Sequence, residues 1–332
     1  MILSQLILRN FRIHKNITLN FSEALNYIVG GNGQGKTSIL EAAYYLCTTK
    51  SFYSNDIEAV SFEENEFEIE GIIKDLIENN NRVYFSLPEN RKYYFQNDKL
   101  ISRASNIIGK FPVVTLTPAD HAITQGAPAE RRKFVDSVIS QASSTYLNIL
   151  LDYNKTLKHR SVILNSLKEN FNRQLENELN AWTEKLIDSG VELILYRKKF
   201  VNDFIKYVSI SYTKIIEEIE TPIIEYSFLD KSNGKNIKAA FEKLLFEKRD
   251  EEIRRALNLV GPHKDDFIFT INNVNLRTYG SQGQHKTFQT ALKFAEFFYL
   301  KEATGKIPIF LLDDVFGELD ASRAGKISDY LK

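Results

Sequence analysis

The chain has 332 residues, with 43 Lys plus Arg balanced by 43 Asp plus Glu, 43% hydrophobic and 26% charged. That composition excludes disordered, collagen-like and coiled-coil-dominated proteins, and a length above the roughly 100–200 residues of one domain predicts two lobes. Zero net charge means that any nucleic-acid partner would have to be met by a local basic patch. No run of about 18 apolar residues is present, so no membrane partner is expected. The opening MILSQLILRNFRIHKN lacks a secretory pattern, and a cytoplasmic location is expected. Cys47 stands alone beside Leu46 on an apolar helix face, which rules out an internal disulfide and predicts a core thiol.

In chain order, Ile2 to Leu8 and the alternating Ile17, Leu19 and Phe21 read as half-buried strands. An apolar strand is expected at Leu25 to Val29, followed by the glycine loop GGNGQGKTS (Gly30 to Ser38) and a helix carrying Ile39, Leu40, Ala42, Ala43 and Leu46. Residues 66–101 hold three strand-like runs separated by turn residues, which fits an antiparallel sheet. Val113 to Leu116 reads as a short buried strand. From about Ala129 to Glu220 the period is helical, with Ile187, Val191, Ile194, Val201, Ile205 and Val208 on one face and Trp182 anchoring the bundle. Strand character returns at Ile223 to Leu229 and at Phe267 to Ile271, the latter followed by an Asn272-Asn273 turn. GSQGQHKT then opens a long helix, and the strand IPIFLLDD follows. No repeat of about 20–50 residues recurs, which argues against solenoids. The expected organisation is a split lobe, 1–117 plus 256–332, interrupted by a helical lobe at 118–255.

Gly30-x-x-x-x-Gly35-Lys36-Thr37 is a complete Walker A pattern. In such a loop backbone N–H groups surround phosphate oxygens and the helix amino end adds its dipole. Gly30, Gly31, Asn32, Gly33, Gln34, Gly35 and Ser38 are expected to line the nucleotide, Lys36 to meet the β and γ phosphates, and Thr37 to face Mg²⁺. IFLLDD supplies the complementary acids: Asp313 suits the metal side, and Asp314 suits the base or water-positioning role in phosphoryl transfer.

Between these motifs, Gly280-Ser281-Gln282-Gly283-Gln284 opens a helix just before the acidic strand, and Gly317-Glu318-Leu319-Asp320 follows it. This arrangement resembles the signature motif and D-loop of ABC-type ATPases. The resemblance implies that Ser281, Gly283 and Gln284 act on a nucleotide held by the opposite protomer of an ATP-bound homodimer. Asn10-Phe11-Arg12, GGNGQGKTSILEA, Thr115 to Asp136, Gly261 to Phe267, GSQGQHKT and LLDDVFGELD occur in the order that the RecF family shows, and the resemblance spans essentially the whole chain. It implies an ABC-type α/β ATPase lobe with a mixed sheet, and ATP and Mg²⁺ as cofactors, with Arg12 among the nucleotide-binding residues. It further implies slow ATP hydrolysis, binding to duplex DNA at gaps or junctions, and RecA loading with RecR in the RecO and RecA pathway.

Some positions depart from that family. Tyr53 stands where Arg is usual, so an expected basic contact is absent; Lys264 replaces Arg after Gly-Pro-His, and Gly317 replaces Ser. The family continues beyond the position matched by Lys332, so no residue is assigned to its γ-phosphate switch.

Arg131, Arg132, Lys133, Lys158 and Arg160 are the DNA-backbone candidates, set against solvated helix faces and, for Arg131 and Arg132, against internal pairs with Asp120 or Asp136. His121, His159, His263 and His285 lack metal-ligand spacing, and His263 is the best placed of them to support a site. Three rival classes share parts of these motifs. A head of the SMC or Rad50 type needs far longer heptad stretches than the broken helical insert offers. A transporter subunit would normally read Ser-Gly-Gly-Gln in its signature, and a small-molecule kinase would need no signature.

Overall fold

A computed structural model describes residues 1–53, 55–170, 172–216, 220–229 and 236–314. Strands β1 (Ile2–Phe11) and β2 (His14–Asn20) precede helix α1 (Lys36–Thr48), and β3 (Glu66–Lys74), β4 (Glu78–Ser86), β5 (Arg91–Gln96), β6 (Lys99–Leu100) and β7 (Val113–Leu116) follow. Then come α2 (His121–Gln125), α3 (Pro128–Ala142), α4 (Ser144–Glu169), α5 (Arg173–Ile215), β8 (Pro222–Ser227) and α6 (Ile237–Arg255). The described chain closes with β9 (Asp266–Ile271), β10 (Val274–Asn275), α7 (Leu276–Tyr279), α8 (Gln282–Thr304) and β11 (Ile309–Leu312). Two units result: Met1–Pro118 with the described chain from Glu296, and Ala119–Ala295.

In the first unit the order β2-β1-β3-β4-β5-β6 makes a six-stranded sheet whose pairings are all antiparallel. Alternation decides its faces. Leu6 and Leu8 of β1, Phe67 and Ile69 of β3, and Val83 and Phe85 of β4 point to the α1 side, where they meet Ile39, Ala42, Tyr45 and Leu46. Phe67 is the centre of this layer, with its ring 5.3 Å from Phe11, 5.7 Å from Tyr45 and 5.5 Å from Phe85. Gly71 admits the helix: a Cβ there would stand 2.4 Å from Leu46 Cδ1. Cys47 is buried as expected, and burial alone pushes its thiol up to about 12.

The parallel part is separate from this sheet. β7 and β11 form a two-stranded parallel sheet, Ile309 opposite Val113 through Leu312 opposite Leu116. The strand expected at Leu25 to Val29 is absent. Asn26 bonds the N–H, hydroxyl and carbonyl of Ser22 and the carbonyl of Ala24. The chain therefore turns instead of entering a ladder, and only Ile28 of this run packs on the core, while Tyr27 and Val29 are exposed.

In the second unit α5 packs along α4, α6 and β8. Residues 256–295, which the sequence reading joins to the first lobe, cluster with this unit, because β9 is hydrogen-bonded along its length to β8 and packs on α3. Asn272 and Asn273 both have positive φ (50° and 64°), as the tight β9–β10 turn requires. Trp182 joins a cluster with Ile163, Leu164, Leu167 and Leu179, and stacks on His159 at 4.3 Å.

Candidate nucleotide site

Gly35 is the N-cap of α1 with φ 79°, a left-handed conformation that a side chain rarely adopts, and a Cβ there would lie 2.5 Å from His14 Nε2. The helix starts with no side-chain cap and no acidic residue in its first turn. Its N–H groups and positive dipole end therefore keep their capacity for an anion. Lys36 Nζ curls back to donate to the carbonyls of Gly30 and Gly31, each at 2.9 Å. Gln34 Oε1 accepts from Gly31 N at 2.9 Å and closes the loop. His14, which no motif singles out, bonds the Gly35 carbonyl at 3.1 Å.

The two halves of the nucleotide motif meet in the first unit. Asp313 continues the β7–β11 ladder by donating its N–H to Leu116 O at 2.9 Å, which brings its carboxylate to the carboxyl end of two parallel strands. There Thr37 Oγ1 lies 3.0 Å from Asp313 Oδ1 and 2.9 Å from Oδ2. A hydroxyl beside a carboxylate, next to an ammonium and an uncapped helix start, is a donor set suited to a hard divalent cation bound with phosphate. Asp314 is exposed and has φ 48°, so the chain turns sharply after the strand. Gly317, Glu318, Leu319 and Asp320 lie outside the described residues.

Arg12 has φ 57° and forms a two-point pair with the buried Glu41, at 2.9 and 2.7 Å, while also donating to Glu58 O at 2.8 Å. Its guanidinium thus links α1 to the neighbouring loop. Ser51 also donates to Glu41 and accepts from Tyr53 N at 2.9 Å. Tyr53 in turn donates its hydroxyl to Asp313 Oδ2 at 3.1 Å. In the sequence alone Tyr53 stands only as a lost basic contact. Its link to Asp313 crosses 260 positions and has no local signal.

The signature segment lies in the second unit. Ser281 Oγ accepts from Gln284 N at 3.1 Å and Gln284 Oε1 accepts from Ser281 N at 2.9 Å, a reciprocal capping box at the start of α8. Gln284 also reaches Glu220, and Ser281 is exposed. Gly283 follows within the first turn.

The basic candidates divide. Arg131 is buried, pairs with Asp266 at 2.7 and 2.9 Å and donates to Gly126 O at 2.9 Å. Arg160 is also buried, donating to Glu252 at 2.8 Å and to Asn258. Both guanidiniums are buried and paired with an internal carboxylate, which corrects their placement among outward DNA contacts. Arg132 is half-buried and donates to Asp265 O at 2.6 Å. Asp136 and Asp120, the internal partners weighed for this arginine pair, are taken by Arg197 at 2.9 Å and Lys293 at 3.2 Å. Lys133 and Lys158 are exposed. His263 is half-buried between Tyr153 Oη at 2.8 Å and Asn258 O at 3.1 Å, and desolvation pushes its pKa down to about 4.

Comparison with known proteins gives a consistent result. The family described as RecF/RecN/SMC N terminal domain matches residues 2–332. The DNA replication and repair protein RecF of Chloroherpeton thalassium is 42% identical over 98% of this chain and 90% of its own. That of Salinibacter ruber is 38% identical over 100% and 82%. A solved structure of the recombination mediator protein RecF with ATP, in the RecFOR pathway, superposes with a TM-score of 0.91 at 32% identity, covering 99% of this chain and 89% of that one. The ATPrS form gives 0.90 at 32%, covering 100% and 90%.

Proposed function

The chain belongs to the RecF family, and we propose that it is an ABC-type ATPase of recombinational repair that binds ATP at the α1 loop and dimerises on it. In this reading the dimer engages duplex DNA at gaps or single-strand junctions and assists RecA loading with RecR. The observation that carries the reading is the Thr37–Asp313 contact, which joins the Walker A helix to the acidic end of β11 beside an uncapped helix start. ATP bound to a relative of 0.91 TM-score supports the choice of nucleotide.

The residues divide the work. Lys36 exchanges two backbone carbonyls for phosphate oxygens, gaining a charge-assisted contact. Thr37 and Asp313 would hold Mg²⁺, which when bound offsets phosphate charge. Asp314, at the exposed turn after β11, orients the attacking water. Ser281, with its backbone fixed by the capping box, presents its exposed edge to the nucleotide of a second copy. Lys133 and Lys158 remain the outward basic candidates for phosphate contacts, with Arg132 at the boundary. The longest described helix, α5 at 43 residues, spans about 65 Å. That is far short of the long coiled coil that an SMC-type organiser requires.

Gel filtration and DNA binding without nucleotide, with ADP and with a nonhydrolysable ATP analogue test this function. Dimers and tight DNA complexes are expected with the ATP analogue only. Mixing Ser281→Arg with Lys36→Ala protomers should restore part of the turnover that each lacks, because one composite site is then intact. Normal hydrolysis by Ser281→Arg at every protein concentration would overturn the two-copy site.

A further inference from the structure

We infer that Tyr53 is a positioning residue for Asp313, selecting which carboxylate oxygen faces the divalent cation; this rests on the assignment of Asp313 to the metal side. Thr37 Oγ1 is nearly equidistant from the two Asp313 oxygens, at 3.0 and 2.9 Å. A hydroxyl has one proton, and from that midpoint it holds the carboxylate group without distinguishing its oxygens. Tyr53 Oη breaks the tie. It donates to Oδ2 at 3.1 Å, which fixes the plane of the group and leaves Oδ1 as the oxygen clear of the tyrosine.

Tyr53 is itself anchored to the helix that carries Thr37. Its N–H donates to Ser51 Oγ at 2.9 Å, and Ser51 donates to Glu41, which is buried on α1 and paired with Arg12. Its ring packs 4.6 Å from Phe52, and Phe52 packs 5.2 Å from Tyr44 of α1. Arg12, Glu41, Ser51 and Tyr53 thus form a chain of contacts that ends on the acid of β11. The helix start and the strand end are tied by two hydroxyls of different reach, and only the tyrosine discriminates between the oxygens.

The test is the Mg²⁺ dependence of binding of a fluorescent, nonhydrolysable ATP analogue to the full chain. Tyr53→Phe keeps the ring and its packing and removes only the donor. The half-saturating Mg²⁺ concentration should rise about three- to tenfold, the effect of one net hydrogen bond. Analogue binding in EDTA and the melting temperature should not change. Asp313→Asn should raise the Mg²⁺ requirement as well, and Tyr53→Phe should add nothing on top of it.

An unchanged Mg²⁺ requirement in Tyr53→Phe, with Asp313→Asn shifted, would overturn this inference and leave the Asp313 assignment standing. Additive shifts in the double variant would also overturn it, since Tyr53 would then act apart from Asp313. An unshifted Asp313→Asn would remove the metal-side assignment and this inference together.

Discussion

Gln284 donates its side-chain amide to Glu220 Oε1 at 2.8 Å, while the other oxygen of the same carboxylate accepts the Tyr212 hydroxyl. Tyr212 lies in the last turn of α5 and Gln284 in the first turn of α8, so one carboxylate ties the end of the 43-residue helix to the signature segment. Glu220→Ala should leave analogue affinity at the α1 loop unchanged and weaken nucleotide-driven self-association several-fold. Equilibrium sedimentation with the nonhydrolysable analogue checks this, and unaltered dimer formation would show that the signature does not depend on Glu220.

Lys36→Ala removes the ammonium that folds back on the Gly30 and Gly31 carbonyls. ATP affinity should fall by at least tenfold with little change in melting temperature, because Lys36 lies outside the buried clusters. Asp314→Asn should instead retain ATP and lose turnover by about 100-fold or more, in line with removal of a general base. Isothermal titration and phosphate release separate the two effects.

Arg160 and Lys158 are neighbours in sequence with opposite fates. Arg160→Ala leaves the buried Glu252 without its cationic partner, and a loss of about 3–5 kcal/mol is expected from urea denaturation. Lys158→Ala should leave stability within about 0.5 kcal/mol. If Lys158 meets a phosphate, DNA affinity falls and the salt slope drops by about 1. A DNA isotherm identical to the parent's at every salt concentration would remove Lys158 from the interface.

Two partly desolvated groups of the second unit, His263 and Asp265, give opposite pH slopes. His263 is pushed down to about 4 by burial, so between pH 4 and 6.5 the unfolded chain binds its proton and the folded chain does not, and stability rises with pH. Asp265 is pushed up to about 6 by burial despite hydrogen bonding to Tyr226, so between about 4 and 6 the folded chain holds the extra proton and stability falls with pH. The two slopes oppose over pH 4 to 6. Asp265→Asn should therefore tilt the pH profile upward relative to the parent, and His263→Asn should tilt it downward. Each change should reach about 1.4 kcal/mol per pH unit, measured by urea denaturation at fixed salt.

The glycine loop, the β3–β5 hairpins, the helical stretch after Pro128 and the acids after β11 were all legible along the chain. Most of these carry a local mark: a left-handed Gly35, strict alternation in Phe67, Ile69, Gly71 and Ile73, a proline at the first position of α3, and the capping box of Ser281 and Gln284. Periodicity and turn chemistry record such local features directly.

Tertiary structure decided what depends on a distant partner. Leu25 to Val29 reads as a strand in the sequence, yet the bonds of Asn26 to Ser22 and Ala24 turn the chain there, while β7 and β11 pair with each other. Arg131 and Arg160 read like Lys133 and Lys158 until the fold brings Asp266 and Glu252 to them from 135 and 92 positions away, and a buried charge must be paired. Tyr53 looks like a missing arginine in the sequence. Only the meeting of α1 with the end of β11, 260 positions beyond Tyr53, turns its hydroxyl into a partner for Asp313, because a hydrogen bond is fixed by atoms in space and leaves no spacing in the chain.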